Sequence, residues 1–196
     1  MVSVPDTKIS SRITYLARHS PPGRGTTLPP NVDFVQATGM SAASYLELFR
    51  EVGEPWLWWG RLTLSESQLQ ALLDAPTTEL YLCRVAGEVA GFAELDRRDA
   101  TAPRICYLGL KPAFVGRGLG DLLIGHCLEK AWVPPVERVE LDTCDYDHPA
   151  ALAFYQRHGF HIVREETEIW DDPRLIGLMP MSAAPHRPPA HTNRED

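Results

Sequence analysis

The run from Leu108 to Gly120 is apolar as far as Leu110, breaks at Pro112, passes through glycines at 116, 118 and 120, and opens directly onto a helical pattern. A strand must enter this turn and a helix must leave it. Glycine lacks a Cβ, so alternating glycines allow unusual dihedrals and let a ligand approach successive backbone amides. The free N–H groups of the first helical turn point at that ligand, and the helix dipole adds about half a positive charge. Such a turn can cradle a phosphate. Its spacing excludes two familiar phosphate loops: a G-x-G-x-x-G pattern fails at Asp121 or Leu123, and no Gly-Lys-Ser/Thr follows. On these residues alone an ordinary strand-to-helix turn stays open.

A second segment lies further along. Val136 to Asp142 has the pattern of a strand, and His148 to Phe160 that of a short helix closed by Gly159. Together the two segments resemble the Gcn5-related N-acetyltransferase (GNAT) family. That family follows a hydrophobic-x-Pro strand end with Arg/Gln-x-x-Gly-x-Gly/Ala and a helix. Here Leu110-Lys-Pro112 and Val115 to Gly120 correspond. The family's later pattern, Asn-x-x-Ala, then a hydrophobic residue, Tyr and Gly-Phe, falls on His148, Ala151, Phe154, Tyr155, Gly159 and Phe160. Two positions depart from it. Val115 replaces the usual Arg or Gln, although backbone amides do most of the holding and Arg117 offers a cation. His148 replaces the usual Asn, and Pro149 suits a first helical position, so His148 is expected as the N-cap or as a catalytic histidine.

Composition agrees with a soluble globular chain. Of 196 residues, 44% are hydrophobic and 23% charged, and the net charge is −7. An acidic balance disfavours a dedicated nucleic-acid binder, whose affinity comes from phosphate contacts, and favours a cationic substrate weakly. No stretch approaches the roughly 20 apolar residues of a membrane span, and the first residues lack a secretory apolar core, so no membrane partner and a cytoplasmic location are expected. Cys83, Cys106, Cys127 and Cys144 are dispersed without metal-ligand spacing, and no metal site is expected. Cys144 lies near the expected site, but no neighbouring base marks it as a nucleophile.

Along the chain, Arg12 to Leu16 alternates as a first strand and Ser20 to Pro30 forms a loop. Ser41 to Val52 has helical spacing closed by Gly53, and Ser65 with Gln68 forms a capping box before a second helix. Glu79 to Val85 and Glu88 to Leu95 form a hairpin across Ala86-Gly87, and Ile105 to Leu110 leads into the glycine loop. Gly118 to Trp132 is a third helix, stopped by Pro134-Pro135. Phe160 to Val163 and Arg174 to Met181 are expected as two final strands joined at Asp171 to Pro173. Residues 1–182 are expected as a single domain and 183–196 as a disordered tail, with His186 and His191 solvated in it.

The resemblance implies an α/β fold of the mixed, α+β kind. It is the GNAT acyl-CoA N-acyltransferase fold, a central, mostly antiparallel sheet with splayed strands 4 and 5, flanked by helices. It implies acetyl-CoA as cosubstrate, its acyl arm on the backbone of Leu108, Gly109 and Leu110, its pyrophosphate on Val115, Gly116, Arg117, Gly118, Leu119 and Gly120, and the Leu110 N–H polarising the thioester carbonyl. Tyr155 is the expected general acid for the departing thiolate, with core packing as the other reading. A carboxylate base is needed for the ammonium of the acceptor. Glu94 comes first, ahead of the cluster Asp142, Asp145 and Asp147 with His148, and its other reading is a solvent-facing hairpin residue. Trp56, Trp58 and Trp59, with Asp142, either wall an acceptor pocket or make a sheet or homodimer contact. The expected reaction is transfer of an acetyl group to the primary amine of a small molecule. The alternatives are a non-catalytic acyl-CoA sensor and an enzyme acting on protein lysines or N-termini.

Overall fold

The structure, a computed structural model, describes residues 7–23 and 27–190. Its elements in chain order are β1 (Lys8–Arg18), β2 (Val32–Gln36), α1 (Ala42–Gly53), α2 (Glu66–Leu73), β3 (Thr78–Val85), β4 (Glu88–Asp96), β5 (Arg104–Leu110), α3 (Leu119–Ala131), β6 (Val139–Cys144), α4 (Ala151–Arg157) and β7 (His161–Asp171). The strands form one seven-stranded sheet in the order β2-β3-β4-β5-β6-β1-β7. All neighbours run antiparallel except β5 and β6.

Period-two alternation along the central strands loads both faces of the sheet. On β4, Phe92 packs with Tyr45, Phe49 and Val52 of α1, and with Leu69 of α2. Ala93 and Leu95 point the other way, into a cluster with Leu119, Leu123, Ile124, Cys127 and Leu128 of α3. Both N-terminal helices are capped as their sequences direct. Ser41 accepts from the Ser44 N–H, and Ser65 and Gln68 make both bonds of a capping box.

Pairing between β5 and β6 is limited to Arg104 with Glu140 and Ile105 with Leu141. Beyond these rungs the strands part, and a cleft opens between Cys106–Leu110 and Asp142–Cys144. These are the splayed strands expected as fourth and fifth, shifted by one because Val32–Gln36 is a further strand that the Pro- and Thr-rich surroundings hid.

Three expectations fail near the C-terminus. The strand expected over Phe160 to Val163 continues to Asp171, because ten of the eleven residues of β7 pair along β1 despite the charges at Arg164, Glu165, Glu166 and Glu168. Tertiary pairing overrides weak local β preference here. Residues 174–181 form turns, not a strand. The position next to β6 is already taken by β1, which pairs with β6 on one side and β7 on the other.

Nor are residues 183–190 a disordered tail. Arg174, buried against Asp172 in an ion pair, donates to the carbonyls of Ala183, Arg187 and Pro188, while the Ala190 N–H donates to Asp172. His186 bonds the Tyr146 carbonyl and is not merely solvated. His191 and the rest of the expected tail lie outside the described residues. Among the described residues no helix is long and apolar enough to cross a membrane.

Candidate active site

The cleft between β5 and β6 widens into a cavity of about 710 Å³. One end is formed by the glycine turn. Gly116 and Gly118 have φ of +79° and +75°, in the left-handed region that disfavours side chains. Gly118 caps α3 with no side chain of its own, leaving the first-turn N–H groups of that helix open toward the cavity. Leu108, Gly109, Leu110, Val115, Gly116, Gly118 and Gly120 all line this end, with Phe154 and Arg157 of α4 facing them.

Two expected members do not. Arg117 stands over the Phe114 ring at 5.2 Å and is outside the lining. Leu119, 5% exposed, points into the α3 core. Helix geometry turns Leu119 into the core, and Arg117, in the turn ahead of α3, lies back over Phe114. Val115, in the place of the expected Arg or Gln, is 43% exposed, so it contributes an apolar edge and no charge.

Tyr155, on α4, lines the middle of the cavity. Its ring is held edge-on by Phe154 at 5.3 Å and Phe160 at 6.1 Å. Its hydroxyl makes no hydrogen bond among the described residues. Burial, reinforced by the negative charges of Asp147 and Asp142, pushes that hydroxyl well above the usual phenol value.

Glu94 is corrected outright. It is 1% exposed, lies on the β4 face that α1 covers, and is not part of the cavity lining. Arg61 pairs with it and Tyr45 donates its hydroxyl to it. A carboxylate so enclosed has no route to an acceptor amine. Neither a free base nor a solvent-facing residue, it ties α1 and the Gly60–Thr63 turn to the sheet.

Asp147, unlike Glu94, lines the cavity. Its Oδ1 accepts from Trp58 Nε1 at 2.9 Å, and its Oδ2 accepts from Thr143 Oγ1 at 2.8 Å and the Cys144 N–H at 3.0 Å. It lines the cavity with Asp142, which pairs with Arg104. Burial raises the Asp147 carboxyl above the usual carboxylate value, against the three donors that favour its charge. Asp145 is turned away to Ser11 and Arg187.

His148 lines the cavity but does not cap the helix. The helix begins three residues later, at Ala151, and His148 Nδ1 accepts from the Ala150 N–H at 3.1 Å. Its ring stands edge-on to Trp56 at 5.1 Å. Cys144 also lines the cavity, as a thiol that burial pushes up to about 12.

The three tryptophans of the Glu54–Gly60 segment all reach this far end. Their irregular spacing is resolved by a left-handed residue, Leu57, with φ of 57°, which turns the chain between Trp56 and Trp58. Trp58 packs against Tyr107 at 5.2 Å, and Trp59 against Trp170 at 6.0 Å. Gly109 makes room for this, since a Cβ there would sit 2.6 Å from Val52 Cγ1 and 2.9 Å from Trp58 Cη2. Sequence reasoning overlooked Glu168 and Trp170, which share the lining, because it ended the last strand at Val163. A period-two count carried through the charged run would have found them.

These features agree with the comparisons. The acetyltransferase (GNAT) family model matches residues 45–160, more than half of the sequence, so the chain belongs to the GNAT family of acetyltransferases. No curated protein matches the sequence. Among solved structures, a GCN5-related N-acetyltransferase from Sphaerobacter thermophilus superposes with a TM-score of 0.60 at 19% identity, over 82% of this chain and 51% of that one. A GNAT family acetyltransferase from Elizabethkingia anophelis with acetyl-CoA bound gives 0.53 at 20%, over 69% and 80%. An aminoglycoside acetyltransferase from an uncultured soil metagenomic sample, in complex with sisomicin, gives 0.53 at 14%, over 65% and 87%. The chain thus spans about half of the length of the first of these.

Proposed function

We propose that this protein is an acetyl-CoA-dependent N-acetyltransferase acting on the primary amine of a small molecule. One observation carries the reading. A single cavity joins the open N-terminus of α3, the end of β5 that parts from β6, Tyr155 and Asp147. The C-terminal segment supports a small acceptor. Met179, Ala183 and Ala184 pack with Leu57 and Tyr146, two residues of the cavity wall, so chain backs the cavity on that side. Four free thiols suit the reducing cytoplasm.

Acetyl-CoA supplies the acetyl thioester. Backbone groups of Leu108 to Leu110 would hold its acyl arm, and the amides of Gly116 to Gly120 its phosphates, in a turn where no Cβ intrudes at Gly116 or Gly118. The Leu110 N–H is assigned to the carbonyl oxygen as that oxygen gains charge. Asp147 takes a proton from the acceptor ammonium, directly or through water. The neutral nitrogen then attacks the carbonyl carbon, the C–S bond breaks, and Tyr155 gives its proton to the sulfur. The second amine proton, lost as the amide forms, restores the phenol through solvent.

Asp147→Asn is expected to lower kcat/KM for the amine by about 10²-fold or more. In the wild type, kcat/KM falls as the pH drops through the Asp147 value. Burial raises that value, so the fall begins at higher pH than for an ordinary carboxylate near about 4. A pH–rate profile of both proteins checks this, since the acid limb should vanish in the variant. Gly118→Val places a branched side chain at φ +75°. A side chain there costs about 1–2 kcal/mol, so the free turn relaxes away from the binding shape, and restoring that shape predicts a KM for acetyl-CoA raised about five- to thirtyfold, with KM for the amine unchanged. The defining experiment is thiol release from acetyl-CoA across amines, polyamines, amino acids and lysine peptides. Binding of acetyl-CoA without turnover on any of them would favour a sensor.

A further inference from the structure

We infer that the acceptor end of the cleft selects an amine carried on a flat, apolar body, an arylalkylamine, over a polyhydroxylated polyamine or a lysine side chain. The inference rests on the transferase reading and narrows its substrate class. Six aromatic rings, those of Trp56, Trp58, Trp59, Tyr107, Tyr146 and Trp170, line this part of the cavity. Four of them are held in mutual contact, Trp58 on Tyr107 and Trp59 on Trp170, so these faces are set before a ligand arrives.

Arg61 and Arg187 stand over the Tyr107 and Tyr146 rings at 5.0 and 5.3 Å from outside the cavity lining, and the charges that line this end are the carboxylates Asp142, Asp147 and Glu168. Asp142 is paired with Arg104. Asp147 is bonded only by the neutral donors Trp58, Thr143 and Cys144. Glu168 makes no ion pair or hydrogen bond among the described residues and shares the cavity wall with Trp170. Two carboxylates therefore remain without a cation, beside faces whose quadrupoles attract one. That arrangement suits one ammonium and an apolar remainder. An aminoglycoside would bring several ammonium groups and many hydroxyls against a wall whose uncharged polar groups, the unpartnered Trp170 Nε1–H and the hydroxyls of Tyr107 and Tyr146, are too few to replace their hydration. A lysine side chain would bring an ammonium on a flexible, unbranched stem, with no flat face to lay against these rings.

The test is steady-state turnover by the full chain with phenethylamine, hexylamine, spermidine, sisomicin and a lysine peptide, with Trp59→Ala and Glu168→Gln assayed beside the wild type. Phenethylamine is expected to exceed every other amine in kcat/KM by about tenfold or more. Each substitution should raise its KM by about two- to thirtyfold and leave KM for acetyl-CoA alone. Glu168 is exposed on the edge strand, so its variant should fold even if that of Trp59 does not. Preferred turnover of spermidine, sisomicin or the peptide overturns the substrate class and leaves the transferase standing. If no amine turns over, the transferase reading fails, and phenethyltrimethylammonium, which cannot be acetylated, tests the ring cluster by itself. Saturable quenching of tryptophan fluorescence, weakened in Glu168→Gln, supports the cluster, and its lack overturns it.

Discussion

Tyr155→Phe is expected to lower kcat by about 10²–10⁴-fold while KM for acetyl-CoA stays within about twofold. The substitution removes one oxygen and keeps the ring, so the edge contacts with Phe154 and Phe160 survive. The removed hydroxyl has no hydrogen-bond partner among the described residues, so its loss leaves no protein group unsatisfied. Burial and the charges of Asp147 and Asp142 hold it protonated throughout the neutral range, as an acid for a departing thiolate must be. Stopped-flow or steady-state assays alongside a melting curve separate the two readings of this residue. An unchanged rate in a protein of unchanged stability would reduce Tyr155 to a packing residue.

Glu94→Gln is expected to act on stability. Arg61 and Glu94 form a largely enclosed pair, with side chains 18% and 1% exposed, and the Tyr45 hydroxyl completes the site. Neutralising one partner leaves the guanidinium without its counter-charge, which costs about 3–5 kcal/mol. That is a large part of the roughly 5–15 kcal/mol by which a domain is stable. Urea unfolding should show a lower midpoint with little change in slope. Replacing both partners, as Glu94→Leu with Arg61→Met, should recover much of the loss, because apolar groups of similar volume leave no charge stranded. A variant of full stability that had lost turnover would return Glu94 to the catalytic machinery and count against Asp147.

Both predictions turn on a distinction the sequence could only half make. Glu94 alternates with Phe92, and period two correctly puts them on one face of β4. Whether that face meets the cleft or a helix depends on where α1 lies, and α1 is positioned by Tyr45, Phe49 and Val52 packing against Phe92 from another part of the chain. Asp147 was visible only as one of three nearby aspartates. The donors that distinguish it come from Trp58, 89 residues away in sequence, and from Thr143 and Cys144 at the end of β6.

Local chemistry was enough elsewhere. Glycines at 116 and 118 adopt the positive φ that only glycine takes readily, the capping box at Ser65 and Gln68 closes as written, and the hairpin turns at Ala86-Gly87 with positive φ at both residues. Such features depend on a few adjacent residues, so the sequence by itself determined the glycine turn, the helices around it and the placing of Tyr155 after it. Tertiary structure decided the rest. The first strand lies between β6 and β7, so residues 174–190 are left to fold over the tryptophans, secured by Asp172 and Arg174. Long-range strand pairing and buried charge are settled by which surfaces meet, and no periodicity within one segment records that meeting.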